Sequence, residues 1–233
     1  SIAANNSWTR LPDFTGEFVF HGQVAGATTK FSAGKCVSGA ALELGCPPPE
    51  DTTIPTDCDD AVPAPEGAVR INEIHAAPKA GEPAHDTNCD ANPSSTQDEF
   101  VEIVNASAQK VSLAGVQILV NGTLKHTLNT CLAPGRGIVV YSGGTAACTD
   151  LGETQAIVSE KAFSLSNSGG AVALADANGT PFETQPYASI SDNTSRTRFP
   201  DFTGGSLVSH STKDILGVTT PHSAGKCVSG APL

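Results

Sequence analysis

VRINEIH, residues 69–75, alternates apolar and polar side chains, with Val69, Ile71 and Ile74 assigned to one inward face. That period of two is the mark of a half-buried strand. Working outward, EFVEIV (99–104) sets Phe100 and β-branched residues around Glu102, and Val116–Val120 runs straight into Asn121-Gly122. Asn-Gly supplies two positive-φ positions in succession, as a type I′ hairpin turn requires. Arg136–Tyr141, Gly170–Leu174 and Pro181–Tyr187 continue the pattern, with Asp176-Ala-Asn178-Gly179 as a second turn. No stretch of ten residues keeps a 3.6-residue apolar stripe. Short strands divided by turn chemistry predict an all-β, antiparallel sandwich of roughly 100–140 residues.

Composition agrees. The chain has 233 residues, 23 of them Gly and 16 Pro, and only 16% are charged. With 13 Lys+Arg against 24 Asp+Glu the formal net charge is −11, which speaks against a nucleic-acid partner. No apolar run reaches the ~18 residues of a membrane span, and the opening residues are not read as a signal peptide. Methionine is absent, so the chain is read as a processed product or a piece of a longer one.

The seven cysteines are Cys36, Cys46, Cys58, Cys89, Cys131, Cys148 and Cys227; none forms a C-x-x-C pair. Their wide spacing reads as disulfide framework, not a zinc site. Asn-x-Ser/Thr triplets stand at Asn5, Asn105, Asn121, Asn178 and Asn193, as a Ser/Thr-rich chain commonly has by chance. The expectation is a secreted or cell-surface protein.

An internal repeat sets the organisation. SIAANNSWTRLPDFTG (1–16) and SISDNTSRTRFPDFTG (189–204) agree at 11 of 16 positions, and SAGKCVSGA at 32–40 recurs unchanged at 223–231. The offset drifts from 188 to 191, so the copies differ in an intervening loop. Residues 1–42 therefore read as the end of a preceding unit or as a strand-donating extension. Residues 43–68, with six prolines, read as a stiff linker, and 69–233 as the sandwich. A pairing that respects the repeat joins Cys36–Cys46, Cys58–Cys89 and Cys131–Cys148, leaving Cys227 for a following linker.

INEI (71–74), DEFVEIVN (98–105), VSLAGVQI (111–118), LAPGRGIVV (132–140), FSLSNSGGAVALADANG (163–179) and SRTRFPDFTG (195–204) together resemble a bacterial lamin-tail domain. The resemblance implies an immunoglobulin-like sandwich and a secreted bacterial module. The cysteines and the Pro-rich linker depart from the nuclear form, so no chromatin role is carried over.

One loop carries chemistry. In AHDTNCDANPSSTQDEF (84–100), Asp86, Asn88, Asp90 and Asn92 alternate, and Asp98 and Glu99 follow. Alternating short oxygen side chains can wrap a hard cation, and Ca²⁺ takes about 6–8 oxygens. Ala91 and Gln97 stand where an EF-hand has Gly and Glu, and a metal-free Asx-turn loop is the competing reading. Glu73, Glu99 and Glu102 read as solvated strand-end carboxylates. The six histidines are scattered, Ser142-Gly143-Gly144 and Ser168-Gly169-Gly170 read as turns, and no nucleophile elbow is present. Arg10 and Arg198 of the repeated block are expected to anchor a sheet edge through a carboxylate pair. With Trp8, Phe14 and Phe202 they form the candidate interface.

The expected function is therefore non-catalytic: an extracellular structural module that assembles with copies of itself into a fibre, array or surface layer. The alternative is a calcium-dependent accessory binding or adhesion domain with a surface glycan as ligand.

Overall fold

The computed structural model describes residues 8–11, 17–20, 58–190, 193–231 and 233. The chain divides into two compact units, Ser1–Asp51 and Thr52–Leu233. In the first, β1 (Trp8–Leu11) and β2 (Glu17–Phe20) form an antiparallel hairpin, Trp8 opposite Phe20 and Leu11 opposite Glu17.

The second unit is the sandwich. Its strands are β3 (Val62–Pro63), β4 (Val69–His75), β5 (Phe100–Asn105), β6 (Val111–Ser112), β7 (Gln117–Val120), β8 (Thr123–Thr127) and β9 (Cys131–Leu132). They continue as β10 (Gly137–Tyr141), β11 (Gln155–Val158), β12 (Gly170–Ala175), β13 (Pro181–Tyr187), β14 (Arg196–Arg198) and β15 (Leu207–Ser209). One sheet runs β11-β10-β5-β4-β14-β15 and another β13-β12-β7-β8, with a small β3-β6-β9 sheet beside them. Among the described residues there is no α-helix, only a 3-10 turn at Pro83–His85. The fold is the all-β sandwich that the alternation predicts, in the immunoglobulin-like form that the resemblance implies.

Local chemistry explains the well-read elements. Val69, Ile71 and Ile74 are at most 1% exposed, and a β-bulge between Ile71 and Glu73 shifts the inward face by one residue. They pack with Val101, Ile103, Ile138, Val140, Phe163 and Leu174 into one core between the sheets. Each such side chain contributes about 1.5–3 kcal/mol of burial. Asn121 and Gly122 have φ +48 and +78, both positive as a type I′ turn demands, and β7 and β8 pair across them.

Pairing is not antiparallel throughout. β10–β11 and β3–β6 are parallel, the first through the crossover loop 142–154. The sandwich also begins earlier than residue 69. β3 falls inside the expected linker, pairs with β6, and follows Cys58, which is bonded to Cys131. A two-residue strand of Val-Pro has no local signal; its partner and the disulfide place it. Residues 43–57 lie outside the described residues.

The disulfides are Cys58–Cys131 and Cys89–Cys148, with Cα–Cα distances of 5.7 and 4.9 Å. The expected Cys58–Cys89 and Cys131–Cys148 pairs do not form. β9 lies in the same small sheet as β3, which brings Cys131 to Cys58, and the crossover loop brings Cys148 to the Cys89 loop. Cys36 and Cys46 lie outside the described residues. Cys227 is buried against Val104 and Leu233.

β5 is buried along its whole length, FVEIVN. One of its faces meets the four-stranded sheet. The other is roofed by the chain after β13. There Phe100, Val139 and Tyr141 meet Ala224, while Val104 meets Cys227, Leu233 and the half-buried Phe202. This C-terminal strap, 193–233, closes the fold.

Candidate interaction site: a buried carboxylate clamp under the strap

Three acidic side chains stand under the strap, all nearly inaccessible: Glu73 and Glu102 at 0% and Asp201 at 6% exposure. Glu73 projects from β4 and Glu102 from β5, directly opposite in the register. Solvated strand ends were expected of both glutamates; the strap makes them interior. The signal for this lies in FVEIVN itself, where apolar residues on both parities imply two covered faces.

Each carboxylate seizes a strap group. Glu73 accepts from the Ser195 hydroxyl, from the Ser223 N–H at 3.0 Å and from the Ser223 hydroxyl at 2.6 Å. Glu102 accepts from the Gly225 N–H at 2.7 Å. Asp201, itself on the strap, accepts from the Val228 N–H at 3.0 Å. Asn72 ties the set together. Its amide donates to Glu102 (2.8 Å) and Asp201 (3.1 Å), while its carbonyl oxygen accepts the Phe202 N–H at 3.1 Å. Thr154 closes the other side by donating to the Gly225 carbonyl at 2.9 Å. Burial pushes Asp201 up to about 7, and burial with the neighbouring Glu73 holds Glu102 well above the carboxylate range. Without those donors, so many buried carboxylates would cost several kcal/mol.

Arg198 is the strap's other anchor and is 3% exposed. Its guanidinium donates to the Ile71 carbonyl (3.2 and 3.0 Å), the Gly204 and Gly205 carbonyls, and Gln185 (3.0 Å), and it pairs with Glu183 at 3.2 Å. The expected carboxylate pair is thus present, but it faces inward. Phe202 sits at φ +64, packed against the Val104–Cys227–Leu233 cluster. As interface candidates, Arg198 and Phe202 are internal struts of their own unit. Trp8 and Arg10 lie on β1, and Phe14 falls outside the described residues.

Histidines surround the strap's middle. His75 stacks on His85 with ring centroids 5.7 Å apart, His222 lies 5.6 Å from His75, and Phe100 packs against His75 and His222. Burial lowers His75 well below the usual imidazole range and takes His222 down to about 4. His75 and His85 are ten residues apart and His222 is distant in sequence, and nothing in their spacing announces this cluster.

Five of the six candidate cation ligands, Asp86, Asn88, Asp90, Asn92 and Asp98, occupy a tight loop. Asp86 accepts the Asp90 N–H (3.1 Å) and the Ala91 N–H (2.9 Å), and Asn88 accepts the Asp90 N–H at 3.1 Å. Asp90 accepts the Asn92 N–H (3.0 Å) and, across the loop, the Thr145 N–H (3.2 Å). The Asn92 amide donates to Gln97 at 3.3 Å. Buried Asp98 accepts from the Thr87, Asn88 and Ser94 N–H groups at 2.7, 3.2 and 2.7 Å. These are Asx-type turns, with the oxygens turned onto the backbone. Among the described residues no group of three or more His, Cys, Asp or Glu side chains stands together as a metal cage.

Glu99 points away from that loop. It accepts the Ser142 hydroxyl at 3.3 Å and the Leu165 N–H at 3.2 Å, and burial raises it to about 7. A carboxyl raised in the fold stabilises fully below its unfolded pKa of 4.5 and loses that contribution as pH rises through about 7. The lowered histidines run the opposite way, fully stabilising above 6.5 and failing as pH falls, so the two sets offset each other between. Glu99→Gln keeps an acceptor and removes one side of that balance. Its stability relative to the native chain is expected to rise by about 3 kcal/mol from pH 4.5 to 7.5 in urea titrations. A pH-independent difference would contradict the assignment.

Among the described residues no helix is long and apolar enough to cross a membrane. A search of curated proteins finds no match to the chain. The family model described as Lamin Tail Domain matches residues 63–188, more than half of the chain, from β3 through β13. Glu73 and Glu102 lie inside the matched region and the strap that they hold lies beyond it. With the sandwich and the matched residues in agreement, the chain belongs to the lamin tail domain family.

Proposed function

We propose that this protein is a secreted, non-catalytic structural module that assembles with copies of itself into a fibre, array or surface layer. The observation that supports the reading is the repeat: the sequence block that carries β14 stands a second time at 1–16, where it carries β1. β14 and β15 pair Arg196 with Ser209 and Arg198 with Leu207, and β1 and β2 pair Trp8 with Phe20 and Arg10 with Phe18. The repeated block places β1 on β14, and each pairs antiparallel with the strand that follows it, the second hairpin being one residue longer between partners. One sandwich needs one such hairpin, and a second copy is of use to another unit. The paired cysteines support an oxidising, extracellular setting. An extracellular module that joins others end to end makes heterologous contacts, which propagate instead of closing unless a ring forms.

Sedimentation velocity across a concentration series tests this. The full chain is expected to form concentration-dependent multiples, and a chain lacking 1–42 to remain a folded monomer. Identical mass distributions for the two would sink the reading.

A further inference from the structure

The clamp specifies its occupant closely enough to recognise another one. We propose that residues 1–42 are a second strap, able to take the place of 193–233 in the Glu73–Glu102 clamp of a neighbouring copy. The inference rests on the assembly reading above and names the acceptor site for it.

The described strap defines what the clamp demands. Ser195 and Ser223 must donate to Glu73, Gly225 to Glu102, and Arg198 to the Ile71 carbonyl. Asp201 must receive Asn72 and Val228, and Leu233 must fill the space beside Val104 and Gly137. In the first copy the corresponding residues are Ser7, Ser32, Gly34, Arg10, Asp13, Val37 and Leu42, every one identical in type. Two strap positions favour glycine. Gly225 has φ +72, and a Cβ there would sit 2.6 Å from Leu151; a Cβ on Gly204 would sit 2.5 Å from the Phe199 carbonyl oxygen. Gly34 and Gly16 stand at the matching positions.

The differences fall where the clamp makes no demand. Within the block 189–204, five positions change, at 191, 192, 194, 196 and 199. Of the three that are described, Thr194, Arg196 and Phe199, none is buried, whereas the buried Ser195, Thr197, Arg198, Asp201 and Gly204 are all retained. Unconstrained drift would not sort changes by burial. Charge is also complementary. Segment 1–42 holds Arg10, Lys30 and Lys35 against Asp13 and Glu17, a positive excess in a chain of net charge −11.

A full-length chimera provides the test: residues 189–233 replaced by the sequence of 1–42, beside a second chimera carrying 1–42 shuffled. The true graft is three residues shorter and loses buried Ile215. It is expected to keep a cooperative transition within about 8 °C of the native Tm and the native near-ultraviolet dichroism. The shuffled graft is expected to lose both. A true graft that behaves like the shuffled one overturns the proposal. Failure of the assembly reading looks different: the true graft folds, yet the native chain sediments as a monomer at every concentration. That result leaves 1–42 able to fill the clamp and removes the neighbouring copy as its site.

Discussion

Glu73→Ala is expected to lower the unfolding free energy by about 4 kcal/mol, more than any single apolar truncation at the edge of the core. Glu73 is fully buried and accepts from the Ser195 hydroxyl and from both the N–H and the hydroxyl of Ser223. Removing it strands those donors away from water, at about 1–3 kcal/mol for each unsatisfied group. The loss concentrates on the strap, because Ser195 and Ser223 hold both ends of its covering segment. Hydrogen exchange should therefore show the 223–231 amides opening first, ahead of β4 and β5. Glu73→Gln is the control: it keeps one acceptor oxygen, replaces the other with a donor, and is expected to cost about half as much. A Glu73→Ala chain with native urea stability would mean that the strap is held by apolar contact alone.

The second large effect is removal of the Cys58–Cys131 bridge. It spans 73 residues of sequence, so it constrains the unfolded chain strongly, by about 4 kcal/mol on the chain-entropy account. The bridge also fixes β3, whose two residues have little else to hold them to β6. Cys58→Ala/Cys131→Ala should lower the urea midpoint and free the segment before β4 for proteolysis. Cys131 is fully buried, so part of the cost will be lost packing, which Cys58→Ser alone under reduction separates from the bridge. A midpoint unchanged by the double substitution would show that β3 is held without it.

What the residues reveal in advance follows from the range of each interaction. β4 and β13 carry period-two patterns or turn flanks, and their observed bounds coincide with the expected Val69–His75 and Pro181–Tyr187. The Asn121-Gly122 hairpin is equally local. β8 and β11, TLKHT and QAIV, lack a deeply buried face and give no such signal. β3, β6 and β9 are two residues each and exist through their partners. The disulfides join segments 73 and 59 residues apart, so the spacing of cysteines along the chain could not choose between pairings.

The clamp shows the same division. The repeat marks residues 189–204 and 223–231 as a pair of linked blocks, but not what they touch. Glu73 and Glu102 read as solvated because a strand's outer face normally meets water. Here the strap covers that face and turns two surface carboxylates into its principal anchors. The alternating loop 86–98 is built from local contacts. Its oxygens have the spacing of cation ligands, and backbone N–H groups within a few residues satisfy them.

Electron microscopy of the native, unreduced chain is the most direct test of the central claim, with the 1–42 deletion on the neighbouring grid. The account predicts filaments or a lattice whose repeat is one sandwich for the full chain, and dispersed particles for the deletion. Both samples should be imaged in millimolar calcium and in chelator, and the order should persist in each, since Glu73 and Glu102 hold the strap by direct hydrogen bonds. Dispersed single particles from the full chain under both conditions would contradict the account.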